Sequence, residues 1–171
     1  MGATSDLIAE RGYWGLSLQD VADQCGLTVP GLLRHVGSKV GLLIAVLEHR
    51  EVEDARALGA QLDPAEETDL RRLCAAIMRR NAGQREIVRL FAVLTAESLD
   101  PHHPAHEYFV AQQERTLGEF TRLATGHTDA PETLARQILA MMDGLHLRWL
   151  RSPETVDLVQ EWSDAADMLF R

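Results

Sequence analysis

Cysteine, aromatic side chains, long apolar runs and positive charge are all scarce in this sequence, and each scarcity removes a class of protein. Its two cysteines, Cys25 and Cys74, have no second Cys or His at metal-binding spacing, so neither a disulfide scaffold nor a zinc module is encoded. Both read as small buried hydrophobes with reduced thiols. No stretch reaches the ~18–20 uninterrupted apolar residues of a membrane span, and the N-terminus lacks a charged-then-apolar leader pattern. The expectation is a soluble, cytoplasmic protein with no membrane partner. Aromatics make up 5% of the chain, and the alternating apolar and polar runs of half-buried strands are missing. Lys+Arg number 17 against 26 Asp+Glu, a formal net charge of -9. That balance speaks against capture of nucleic acid by overall charge, yet it leaves room for a local DNA-reading face. No Ser-His-Asp order, Gly-rich phosphate loop or His-Glu-x-x-His helix occurs, so neither an enzyme nor a cofactor is expected. The paired acids Glu66-Glu67 read as a helix N-terminus satisfying its dipole.

What the chain does have is 46% hydrophobic residues, enough for a real core, and apolar residues three and four apart almost throughout. This spacing predicts an all-α protein. A short helix over about 3–11 ends at Gly12. Ser17 opens a second, with Asp20 placed to reach back as an acidic capping box, and Gly26 stops it. Thr28 caps a third with Pro30 in its first turn, where a missing N–H costs nothing, and Ser38 caps a fourth. Longer helices are predicted over about 66–81, 86–99, 105–124, 131–150 and 154–170. The second of these is apolar almost all round and is expected to be buried on several sides.

Residues 17–36 have the spacing of a helix-turn-helix. Its tight turn needs a small residue where the helices touch, a residue tolerant of positive φ at the bend, and inward apolar positions. Ala22, Gly26 and the set Val21, Cys25, Leu27 and Leu32 meet these needs. The surrounding residues Gly12-Tyr13, Ser17, Val21-Ala22, Gly26-Leu27-Thr28, Leu32, Arg34-His35, Ser38-Lys39 and Leu42-Leu43 resemble the DNA-binding domain of the tetracycline-repressor-like (TetR) family. Met142-Asp143-Gly144-Leu145 through Trp149-Leu150, then Pro153 and Val156, resemble that family's penultimate helix and the turn after it. The resemblance implies an N-terminal three-helix helix-turn-helix domain, residues 1–48. It also implies a C-terminal helical effector-binding and dimerisation domain, residues 49–171.

A recognition helix enters the major groove by its N-terminal half, which puts Thr28, Val29, Gly31 and Arg34 toward the duplex. Arg34 has the forked donors to clamp a guanine edge or a phosphate. The helix N-termini at Ser17 and Ser38 suit phosphates, and Lys39 adds counter-charge. The family has Tyr where Leu33 stands and Phe where Val36 stands. The phosphate contact of that Tyr is then lost, or taken over by His35 or Gln19. Arg11, Arg34, Lys39 and Arg50 are outnumbered by Asp6, Glu10, Asp20, Asp23 and Glu48, which predicts modest, salt-sensitive affinity. The chain begins inside what resembles the family's first helix. Two expectations stay open: residues upstream of Met1, or a member with less backbone contact.

For the second half the resemblance implies a homodimer and a small-molecule effector. A two-fold operator also calls for a two-fold protein, since one recognition helix reads only a half-site. Leu134, Ile138, Met142 and Leu145, with Val156, Val159, Trp162, Ala166 and Leu169, form apolar stripes on the last two helices and are the interface candidates. Met78, Phe91, Leu94, Phe109, Met141 and Trp149 are candidate apolar walls of an effector cavity, with Glu97, Gln113 and His146 as polar anchors. His102, His103, His106 and Glu107 carry ligand chemistry, but the prolines around His103 deny them a fixed helical face, and no metal site is expected. The functional reading is a DNA-binding regulator, a repressor released by its effector. The alternative is a helical interaction protein whose helix-turn-helix docks protein instead of DNA.

Overall fold

A computed structural model describes residues 2–59 and 69–170. Among the described residues there are nine helices and no sheet. In chain order they are α1 (Gly2–Arg11), α2 (Leu18–Cys25), α3 (Val29–Val36), α4 (Lys39–Gly59), α5 (Leu70–Ala82), α6 (Arg85–Glu97), α7 (His106–Ala124), α8 (Pro131–Arg151) and α9 (Leu158–Leu169). No single helix among the described residues is long and apolar enough to cross a membrane. The chain forms two compact units, the first made of residues up to Arg56 together with Glu86–Phe109, the second of the remainder. In the first unit Leu90, Leu94 and Ala105 complete the core that α1 to α4 begin.

In the first unit the local sequence sets the helix ends. Ser17 caps α2, its Oγ accepting the Gln19 N–H at 3.2 Å. Asp20 does not close a capping box and instead pairs with Arg11 at 2.6 Å. At the other end Gly26 sits at φ 66°, the Leu27 N–H donates to the Ala22 carbonyl at 2.8 Å, and the Gly26 N–H to that of Asp23 at 3.2 Å. Together these bonds make a Schellman turn, the bend of the helix-turn-helix. Thr28 caps α3 through the Gly31 N–H (3.2 Å) and Ser38 caps α4 through that of Gly41 (2.9 Å). Ile8, Val21, Ala22, Leu43, Leu47, Leu90 and Leu94 are fully buried. Each of the leucines contributes roughly 1.5–3 kcal/mol by leaving water. Cys25 and Leu27, expected to face inward, are exposed: the Schellman turn carries both past the edge of the core. On α6 Leu90 and Leu94 are buried in the first unit's core and Val88 is buried on another side of the helix, while Arg89, Thr95 and Ala96 meet solvent. The helix is therefore buried on more than one side, with an exposed strip between.

In the second unit α9 packs against both α5 and α8. Asp69 caps α5 at the Arg71 N–H (3.2 Å), so the described helix starts at Leu70; Glu66 and Glu67 lie outside the described residues. α9 starts at Leu158 and not near Glu154, because Asp157 caps it through the N–H groups of Val159 (3.0 Å) and Gln160 (3.1 Å). The residues before it turn back on the Ser152 carbonyl. Cys74 is buried, and burial pushes its thiol up to about 12. Leu134, Ile138, Met142, Leu145, Val156, Trp162 and Ala166, the interface candidates, are all buried within this single chain. That burial comes from the chain's own helices, with α9 packed on α5 and α8. Val159 and Leu169 are half-buried. α8 turns Ala140, Met141, Gly144 and Leu147 to solvent instead.

Candidate nucleic-acid interface

The two caps and the Schellman turn place α3 on the surface with one side free. Leu32 faces the core, while Thr28, Arg34 and His35 are exposed and Gly31 is half-exposed. Arg34 makes no ion pair among the described residues, so its guanidinium is available to a base edge or a phosphate. Val29 departs from its expected place: it is half-buried and packs against the core, so its side chain holds α3 down. On α2, Ser17 and Gln19 are exposed, and the Gln19 amide donates to Asp23 at 2.7 Å. Lys39 opens α4 with its Nζ 4.6 Å from the Tyr13 ring centroid and 3.5 Å from the Trp14 carbonyl. Since Arg11 is taken up by Asp20, Arg34 and Lys39 carry the positive charge of this surface.

Behind it lies an arrangement between residues far apart in the chain. Glu97, the last residue of α6, accepts the Tyr13 N–H at 2.7 Å. Its carboxylate fills the space over Gly12, where an added Cβ would lie 2.2 Å from Oε1; Gly12 also sits at φ +68°. Only glycine meets both demands. His103, buried, accepts the Ala105 N–H on Nδ1 at 3.2 Å, which leaves its proton on Nε2, 3.6 Å from Glu97. Burial holds the His103 pKa below its ordinary value, against the opposing pull of Glu97 and Asp100. The other histidines of this stretch turn to separate partners, His106 donating to the Ser98 carbonyl at 2.8 Å and His102 meeting Asp100 at 3.1 Å. Nothing in the sequence marks Glu97 for the Gly12–Tyr13 peptide; Gly12 alone carried a signal.

The cavity candidates divide between the units. In the first, Leu94 is fully buried in the core, Phe91 and Phe109 meet edge-to-face at 6.1 Å, and Glu97 is engaged as described. In the second, Met78 and Trp149 are core residues, Gln113 and Met141 are exposed, and His146 meets the Asn81 amide at 3.0 Å. A shallow groove of about 220 Å³ lies near His127, Thr133, Gln137, Leu169 and Phe170, small beside the roughly 300–1,000 Å³ of ordinary ligand sites.

Comparison with known proteins converges on one family. Residues 1–46 match the family model described as bacterial regulatory proteins, tetR family, and residues 65–170 match the C-terminal domain of BetI-type transcriptional repressors. The HTH-type transcriptional activator FasR of Mycolicibacterium smegmatis is 37% identical over 46 residues, 27% of this chain and 21% of that protein. The match thus spans about a fifth of that curated relative's length. A transcriptional regulator from Rhodococcus sp. Rha1 superposes with a TM-score of 0.82 at 20% identity, covering 98% of this chain and 92% of that one. FadR from Bacillus subtilis, solved with stearoyl-CoA, gives 0.79 at 15% identity over 99% and 95% of the two chains. Helix ends, exposed α3 and both matched segments agree: the chain belongs to the tetR family of bacterial regulatory proteins and is a transcriptional regulator.

Proposed function

We propose that this regulator is a homodimeric repressor that binds a two-fold operator through α2 and α3 and is released by a small-molecule effector. Residues 1–48 would read DNA and 49–171 would sense the effector and dimerise. The observation that carries the reading is the exposed, unpaired Arg34 on an α3 held outward by the Thr28 cap and the Gly26 turn. The match to a BetI-type repressor C-terminal domain supports the repressor sign. Acyl-CoA thioesters are the first effectors to try, because FadR holds one within a similar fold. The effector must bind the DNA-free state more tightly, since only differential affinity moves the equilibrium.

The outward face of α8 supports the dimer, with small Ala140 and Gly144 four residues apart between exposed Met141 and Leu147. The test is binding of the purified protein to DNA flanking its own gene, at low and moderate salt, with its mass in solution recorded alongside. Arg34→Ala and Lys39→Ala should each weaken binding without unfolding the protein. Unchanged binding in both would remove the assigned face. Leu147→Glu should shift the sedimenting species from dimer to monomer. A folded protein that binds no duplex at any salt would favour the partner-docking alternative, which the acids around α2 permit.

A further inference from the structure

We propose that Trp14 and Lys39 together form a docking edge for the sugar–phosphate backbone of duplex DNA, a contact that rests on the regulator reading and adds to it. Of the three tryptophans, Trp149 and Trp162 are 7% and 2% exposed, whereas Trp14 is 61% exposed. Tryptophan is favoured where one end meets an apolar body and the other a polar partner. This ring is also held in place. Tyr13 meets it edge-on at 5.1 Å and His103 at 5.7 Å, and both of those rings are buried.

The charge on the same edge fits a phosphodiester. Lys39 donates to the Trp14 carbonyl at 3.5 Å while its ammonium lies over the Tyr13 ring. An ammonium has three donors, so the others remain for a phosphate. An indole contributes an N–H for a non-bridging oxygen and a flat face for deoxyribose. Backbone contacts of this kind fix register and orientation and carry no base information. Glu97, the carboxylate beneath this edge, is turned to the Tyr13 N–H and does not oppose the phosphate at the surface. Trp14 lies three residues before the Ser17 cap of α2, and Lys39 opens the helix after α3, so the pair flanks the recognition element.

The test uses the full chain, a duplex of the DNA flanking its gene and a random duplex of equal length. Acrylamide quenching reports Trp14, because the other two tryptophans are buried. Adding either duplex should protect that fluorescence. Trp14→Ala should weaken binding to both duplexes by a similar factor, about tenfold, as loss of a hydrogen bond to a charged group does. Trp14→Phe should fall between that variant and the parent. Lys39→Met should lower the salt slope by about one per subunit, and Trp14→Ala should leave the slope unchanged. If Trp14→Ala binds as the parent does and the indole stays open to quencher in the complex, the edge is refuted and the regulator reading stands. If the parent binds neither duplex at any salt, both fall. A Trp14→Ala protein with normal DNA affinity but altered sedimentation overturns the proposal in favour of contact with a second copy.

Discussion

Trp162 is buried to 2% exposure, yet its indole N–H meets no acceptor among the described residues. A buried unpaired N–H costs about 1–3 kcal/mol, while the ring itself fills the space against α5 and α8. Trp162→Phe should therefore cost little, within about 1 kcal/mol in urea unfolding, because the smaller ring's lost packing is offset by removal of the orphaned donor. Trp162→Ala should cost about 3–5 kcal/mol. Trp162→Glu should unfold the chain and not release folded monomers; folded monomers from it would return this residue to the interface. The stripe that contains Trp162 was legible in the sequence, but what covers it was not. Spacing of three and four reports that a helix has an apolar side and is silent on whether the cover comes from the same chain or from a second. On α8, Met141 has the spacing of the stripe with Leu134, Ile138 and Leu145, yet it is left in water together with Leu147.

At the scale of elements, the helix-turn-helix was readable because its determinants are local. Ser17, Gly26, Thr28 and Ser38 act on backbone groups within a few residues of themselves, so the residue types alone mark the helix ends. The end of α6 obeys no such rule. Glu97 reaches a peptide 84 residues away, and no periodicity encodes that meeting. Glu97→Ala leaves the Tyr13 N–H without its acceptor and should destabilise the chain by about 1–3 kcal/mol. Glu97→Gln keeps an acceptor oxygen and should cost about 0.5–1.5 kcal/mol. Equal losses in denaturant titrations of the two would mean that the carboxylate acts through its charge and not through this bond.

For the whole molecule, acid is the revealing variable. His146 lies beside Asn81 in the second unit, and burial lowers its pKa from the ordinary 6.5 to about 4. The unfolded chain therefore binds the proton first. Stability should be complete above pH 6.5 and fall as the pH drops toward about 4, by on the order of 3 kcal/mol. His103, also lowered by burial, acts in the same direction. His146→Gln should flatten thermal midpoints across this window, and an unchanged slope would place the sensitivity elsewhere. A separate consequence follows from the discontinuity of the first unit, in which Glu86–Phe109 completes what the residues up to Arg56 begin. A protease cut or gene truncation that keeps only the N-terminal piece would retain every residue that faces DNA and lose Leu90, Leu94 and Ala105 beneath them. Such a fragment should show weak helicity and rapid amide exchange, and the reading head should fail to fold when grafted as a separate module.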